Sequence, residues 1–111
     1  MKELEFQSEC LKLLKSFKAM HYLDYRRTAV QPLRGGRSGG YKKNPMKGWP
    51  DITVFFPNDV AFFELKIKGG VLSKEQDEFR EMCLGLNISH HVVETYRQFQ
   101  DFLYSHLPGV S

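Results

Sequence analysis

Two short apolar runs around a turn constrain this chain most. Asp51-Ile52-Thr53-Val54-Phe55-Phe56 and Val60 through Ile67 are rich in β-branched and aromatic residues, and Pro57-Asn58-Asp59 lies between them. Runs of this length and composition favour strands, while Pro, Asn and Asp favour turns, so the segment predicts a β-hairpin. The chain has 111 residues, of which 41% are hydrophobic and 14% aromatic. That suits one domain around one core.

Helical periodicity supplies the rest of the architecture. Residues 3 to about 20 predict a helix in which Glu3, Gln7, Cys10, Leu14, Phe17 and His21 share one stripe, flanked by Leu11 and Leu13. Tyr22 to about Gln31 reads as a strand. Gly69-Gly70 ends the hairpin. Ser73 opens a second helix with Phe79, Met82, Cys83 and Leu86 on one face. Ile88 to Val93 reads as a further strand, and Thr95 caps a last helix running to about Leu107, before Pro108-Gly109. The expected order is α-β-β-β-α-β-α. The expected fold is α/β, with a mixed sheet of about four strands flanked by helices in one domain over residues 1–111.

Charge is distributed unevenly. The net charge is only +3, yet Pro32 to Pro50 holds Arg34, Arg37, Lys42, Lys43 and Lys47 and no acidic residue. That stretch, about 32–49, also holds Gly35, Gly36, Gly39, Gly40 and Gly48, and it reads as a flexible basic loop suited to a polyanion. An ordinary solvated loop is the plain alternative. Gly35 to Gly40 matches G-x-x-x-x-G, but Tyr41 follows where a phosphate-binding loop needs Lys, so no nucleoside triphosphate is expected. Tyr41 and Trp49 could stack on an unpaired base or simply pack.

Other classes find little support. No apolar run is long enough to span a membrane, and the first residues lack the apolar stretch of a signal peptide, so a cytosolic location is expected. Cys10 and Cys83 form no CxxC pattern and read as buried reduced thiols. His90 and His91 point to opposite faces of a strand, which does not suit zinc. Ser73 and Ser105 have no neighbouring His-acid set for acyl transfer.

The remaining chemistry gathers on the hairpin. Asp51 opens its first strand, and Glu64 and Lys66 lie two apart on the second, so the latter two leave one face. A register placing Asp51 opposite Ile67 to Glu64 brings two carboxylates together, which repel unless a cation joins them. Mg²⁺ and Mn²⁺ take oxygen ligands, and the Leu65 carbonyl is on hand as a third. Lys66 can orient a water and offset charge on phosphorane oxygens. The bland reading of Glu64-Leu65-Lys66 is a half-exposed strand with its charges in water.

Four segments carry a resemblance. Glu3-Leu4-Glu5-Phe6-Gln7, then Gly48-Trp49-Pro50-Asp51, then Phe63-Glu64-Leu65-Lys66, then Gly70-Val71-Leu72-Ser73-Lys74-Glu75-Gln76 together resemble the virus-type replication-repair nuclease (VRR-Nuc) domain of the PD-(D/E)xK nucleases. The resemblance runs over most of the chain. It implies a restriction-endonuclease-like core and a Mg²⁺- or Mn²⁺-dependent deoxyribonuclease leaving 5′-phosphates. It also implies a role in DNA repair, recombination or phage replication. Asp51 and Glu64 would bind the metal, Lys66 would position the water, Glu3 would complete the site from the first helix, and Gln76 would face it from the second. Glu5 and Glu9 are the fallbacks for Glu3, and Gln7 could hydrogen-bond a ligand or stabilise its helix. Gln76 also fits a capping box with Ser73. Cutting both strands or a branched junction suits a homodimer. A non-catalytic nucleic-acid-binding module, or an interaction subunit on the same fold, is the rival expectation.

Overall fold

Alternation of side chains along the hairpin divides the protein into layers. The computed structural model describes residues 3–28 and 47–107; the Glu3 side chain lies outside this description. The strands are β1 (Asp24–Arg27), β2 (Ile52–Phe56), β3 (Asp59–Leu65) and β4 (Ser89–Val93). The helices are α1 (Glu3–Ala19), α2 (Lys74–Gly85) and α3 (Tyr96–Ser105). The strands form one open sheet in the order β1-β2-β3-β4. β1, β2 and β3 pair antiparallel, and β4 joins β3 in parallel after the α2 crossover. The order of elements and the mixed four-stranded sheet agree with the expectation from sequence.

Ile52, Val54 and Phe56 of β2 and Ala61, Phe63 and Leu65 of β3 are all buried, whereas Thr53, Phe55, Val60 and Phe62 are less so. The buried set meets Phe6, Cys10, Leu14 and Phe17 of α1 and Phe99 and Leu103 of α3, which together make the main core. Phe63 and Phe99 anchor it, their ring centroids 4.9 Å apart. On the opposite face α2 lays Phe79 against Phe62 of β3, at 5.1 Å, and against Trp49, also at 5.1 Å.

The stripe predicted for α1 holds at Cys10, Leu14 and Phe17 but not at His21. The helix ends at Ala19, and His21 adopts φ 63° in the turn that follows. Phe6, one turn before Cys10, is buried in its place at the other end. On α2 the inward line is Phe79 and Cys83, while Met82 and Leu86 are exposed, contrary to the expectation for that face. Asp59, expected in the turn, already belongs to β3 and pairs with Phe56, so the turn narrows to Pro57 and Asn58, with Asn58 at φ 62°. Both cysteines are free and buried, as expected. Burial, helped by Glu9, pushes the Cys10 thiol up to about 12, and burial raises that of Cys83. Among the described residues, no helix is long and apolar enough to cross a membrane.

Candidate active site

The hairpin register decides where the two acids stand. Ile52 pairs with Phe63, and one further step sets Asp51 opposite Glu64 and Pro50 opposite Leu65. Cross-strand partners have β-carbons about 5 Å apart and share a face. Pro50 has no N–H to offer the ladder. The Asp51 side chain takes over at that point, its Oδ2 accepting the Leu65 N–H at 2.8 Å. The Pro-Asp pair therefore ends regular pairing and aims a carboxylate along the end of β3.

β1 ties down the same corner. Thr28 donates its N–H to the Asp51 carbonyl at 2.8 Å and its Oγ1–H to the Pro50 carbonyl at 2.6 Å. Asp51 is thus held by both neighbouring strands.

Glu64 breaks the alternation of β3. By position it belongs with the partly exposed Phe62, yet it is only 2% exposed, and it is the sole buried charged residue among those described. α2 provides the cover. Gln76 donates from Nε2 to Glu64 Oε1 at 3.0 Å. Its Oε1 accepts the Ser73 N–H at 2.8 Å, while its own N–H donates to Ser73 Oγ at 3.1 Å. The capping box and the contact with Glu64 are both present in one side chain. The cap occupies the amide oxygen, so the NH₂ group faces Glu64.

The chain before Asp51 locks α2 in place. Gly48 has φ +88°, and a Cβ there would meet Glu75 C, Cβ and O at 2.7 Å. Only glycine allows both the left-handed backbone and so close an approach. Lys47 pairs with Glu75 across 3.3 Å. The Glu75 carboxyl is held below its ordinary value first by a backbone N–H of its own residue and then by Lys47. Trp49 packs edge-on to Phe62 at 6.2 Å, the anchoring role among its expected alternatives.

Lys66 continues β3, its N–H donating to the Val93 carbonyl at 2.9 Å. It leaves the sheet on the Glu64 side. A Cβ on Gly70 would approach its stem at 3.4–3.5 Å, so the turn after β3 lies against the lysine. The structure therefore places Asp51, Glu64 and Gln76 at one end of the hairpin, with Lys66 following directly after β3. Leu65, next to Glu64, gives its N–H to Asp51. Glu3 is the first residue of α1, and its side chain lies outside the described residues, as do Arg34, Arg37, Lys42 and Lys43. Lys47 is engaged with α2.

The donors here are hard oxygens: two carboxylates and, on the residue after Glu64, the Leu65 carbonyl, which Pro50 has no N–H to engage. That chemistry fits Mg²⁺ or Mn²⁺, which are commonly bound through one or two carboxylates plus water and substrate phosphate. Among the described residues, no three His, Cys, Asp or Glu side chains group to hold an ion. Comparison with protein-family models, with curated proteins and with solved structures finds no match to this chain.

Sequence reasoning did not anticipate a second polar cluster. His91 Nε2 lies 2.9 Å from His106 Nε2, and His106 Nδ1 lies 2.7 Å from Asp59 Oδ2. Fifteen and forty-seven residues separate these pairs, so no local spacing announces them.

Proposed function

We propose that this protein is a metal-dependent nuclease acting on DNA phosphodiesters, on a restriction-endonuclease-like core of the VRR-Nuc type. One observation carries the reading. A carboxylate buried against an amide, Glu64, stands across the hairpin from a second carboxylate, Asp51, with Lys66 two residues further on. Burying a carboxylate costs several kcal/mol, on the order that only strong compensation offsets. A domain built only for stability gains little from placing a second acid beside it. A site that gathers negative charge to meet a cation has a reason to.

Asp51, Glu64 and the Leu65 carbonyl would hold Mg²⁺ or Mn²⁺, with Glu3 as a further acid. When bound, such an ion supplies Lewis acidity toward the phosphodiester and toward water. The chain's own residues do the rest. The Leu65 N–H and Thr28 fix Asp51, and Gln76 fixes Glu64. Lys66 carries a positive charge to the same face, where it offsets charge developing on phosphate oxygens and orients the attacking water. Arg34, Arg37, Lys42, Lys43 and Lys47 would contact the DNA backbone, so binding should weaken steeply with salt. A branched or junction substrate and a homodimer are part of this proposal, as is a place in DNA repair, recombination or phage replication inside a bacterial or phage-infected cell.

The test is cleavage of supercoiled, single-stranded and branched DNA with Mg²⁺, with Mn²⁺ and with chelator. Wild type is compared with Asp51→Asn and Lys66→Ala. Metal-dependent cutting lost in both variants supports the proposal. DNA binding without cutting under every condition would make the protein a binding module instead, and cutting unaffected by both substitutions would remove these residues from the chemistry.

A further inference from the structure

The Asp59, His106 and His91 side chains form a hydrogen-bonded chain across the core face, from the start of β3 through the cap of α3 to the middle of β4. Aromatic rings clamp it. His91 stacks on Phe102 at 4.2 Å and lies 5.1 Å from Phe63, and His106 stacks on Phe56 at 4.8 Å. The His106 side chain is only 12% exposed.

Proton positions in this chain are restricted. A carboxylate only accepts, so His106 carries its proton on Nδ1 toward Asp59. The contact between the two Nε2 atoms then needs a single hydrogen. Either His91 donates to a neutral His106, or a protonated His106 donates to a neutral His91. If both rings are charged, two N–H groups face each other across 2.9 Å and the contact is lost. The cluster tolerates one positive charge and not two.

We propose that this chain is a pH-sensitive clasp, in which a second proton, taken up at His91, releases the C-terminal turn of α3 from the sheet. The charged groups acting on His91 are His106 from the end of α3 and Asp59 from β3, with His90, its neighbour on β4, acting from the other face of the sheet. Burial, then His106 and His90, press the His91 ring down to about 4, against a smaller pull from Asp59. The sign follows. A histidine whose folded value is depressed binds its proton more readily once released. The closed state is therefore fully favoured above the ordinary value near 6.5 and loses ground as pH falls toward 4.

The expected size is a fall in the closed-to-open ratio that approaches tenfold per pH unit in the middle of that window and reaches about 100-fold between pH 7 and 4. Amide hydrogen exchange of the full chain between pH 7 and 4, corrected for intrinsic exchange, reads it. Protection in the last turn of α3 should fall while that of β2 and β3 holds. His91→Gln, which can donate to His106 but does not titrate, should flatten the fall. Nitrogen-15 shifts of the wild-type imidazoles give a readout needing no variant: His91 should stay neutral at pH 6 and charge only as α3 opens. Titration of His91 near 6.5 with α3 still protected would overturn the proposal, as would an equal fall in His91→Gln.

Discussion

Replacing Gly48 with alanine tests the joint on which the candidate site depends. The residue adopts φ +88°, where a Cβ costs roughly 1–2 kcal/mol. The same Cβ would lie 2.7 Å from three Glu75 atoms, two of them backbone, so α2 or the strand approach must shift. Overpacking of that kind costs about 1–3 kcal/mol. Alanine recovers roughly 0.4–1 kcal/mol by restricting the unfolded chain. The net loss should be about 2–4 kcal/mol, lowering the melting midpoint by roughly 10–15 °C at this chain length. Two glycines calibrate the result. Gly69 has φ +87° but nothing within 4 Å, so its alanine variant carries the backbone cost alone, about 1 kcal/mol net. Gly85 sits at the end of α2 in open space without a positive φ, so its alanine variant should gain about 0.5–1 kcal/mol. Thermal and urea unfolding followed by circular dichroism would rank them. If Gly48→Ala costs no more than Gly69→Ala, the close seat of α2 on this strand approach is wrong, and the placement of Gln76 over Glu64 loses its support.

Gln76→Ala removes both a cap and the amide on Glu64, and should cost about 2–3 kcal/mol in urea unfolding. Gln76→Glu keeps the cap acceptor but sets a carboxylate against Glu64, so it should be the less stable of the two at pH 7 and recover on acidification. Phe99→Ala empties the centre of the main core and should cost about 3–5 kcal/mol. Cys10 and Cys83 should resist a thiol reagent at pH 8 in the folded protein and react fully in denaturant, because both are buried and both thiols are raised. Rapid labelling of Cys10 under native conditions would contradict its buried place on the inner face of α1.

Much of the fold was legible because periodicity and turn chemistry pointed the same way. The hairpin residues alternate, Ser73 and Thr95 cap their helices, and β3 ends at Leu65, two residues before the expected Ile67, with Gly69 in the turn beyond, so the order of elements followed. The misreadings have local causes. Phe79-Cys83 and Met82-Leu86 are both four apart on α2, and sequence cannot tell which line a helix turns inward. His21 matched the stripe of α1, but the helix had already ended two residues before it. At the site, the hairpin left Asp51 a partner anywhere from Ile67 to Glu64, and the register of the folded hairpin extends to Glu64. The burial of Glu64 could not be read there, because it depends on where a helix ten residues later comes to rest. The double engagement of Gln76 was open in the sequence as alternatives, and three-dimensional geometry makes them compatible.

The two hydrogen bonds from Thr28 to the Pro50 and Asp51 carbonyls have a consequence for engineering. They pin the end of β1 to the approach of β2 across twenty-two residues of sequence, so Thr28 and Pro50 form two fixed posts. Closing a longer loop between such posts costs only about 0.6 kcal/mol for each doubling of length. A change in the length of chain between Thr28 and Lys47 should therefore leave the hairpin in register.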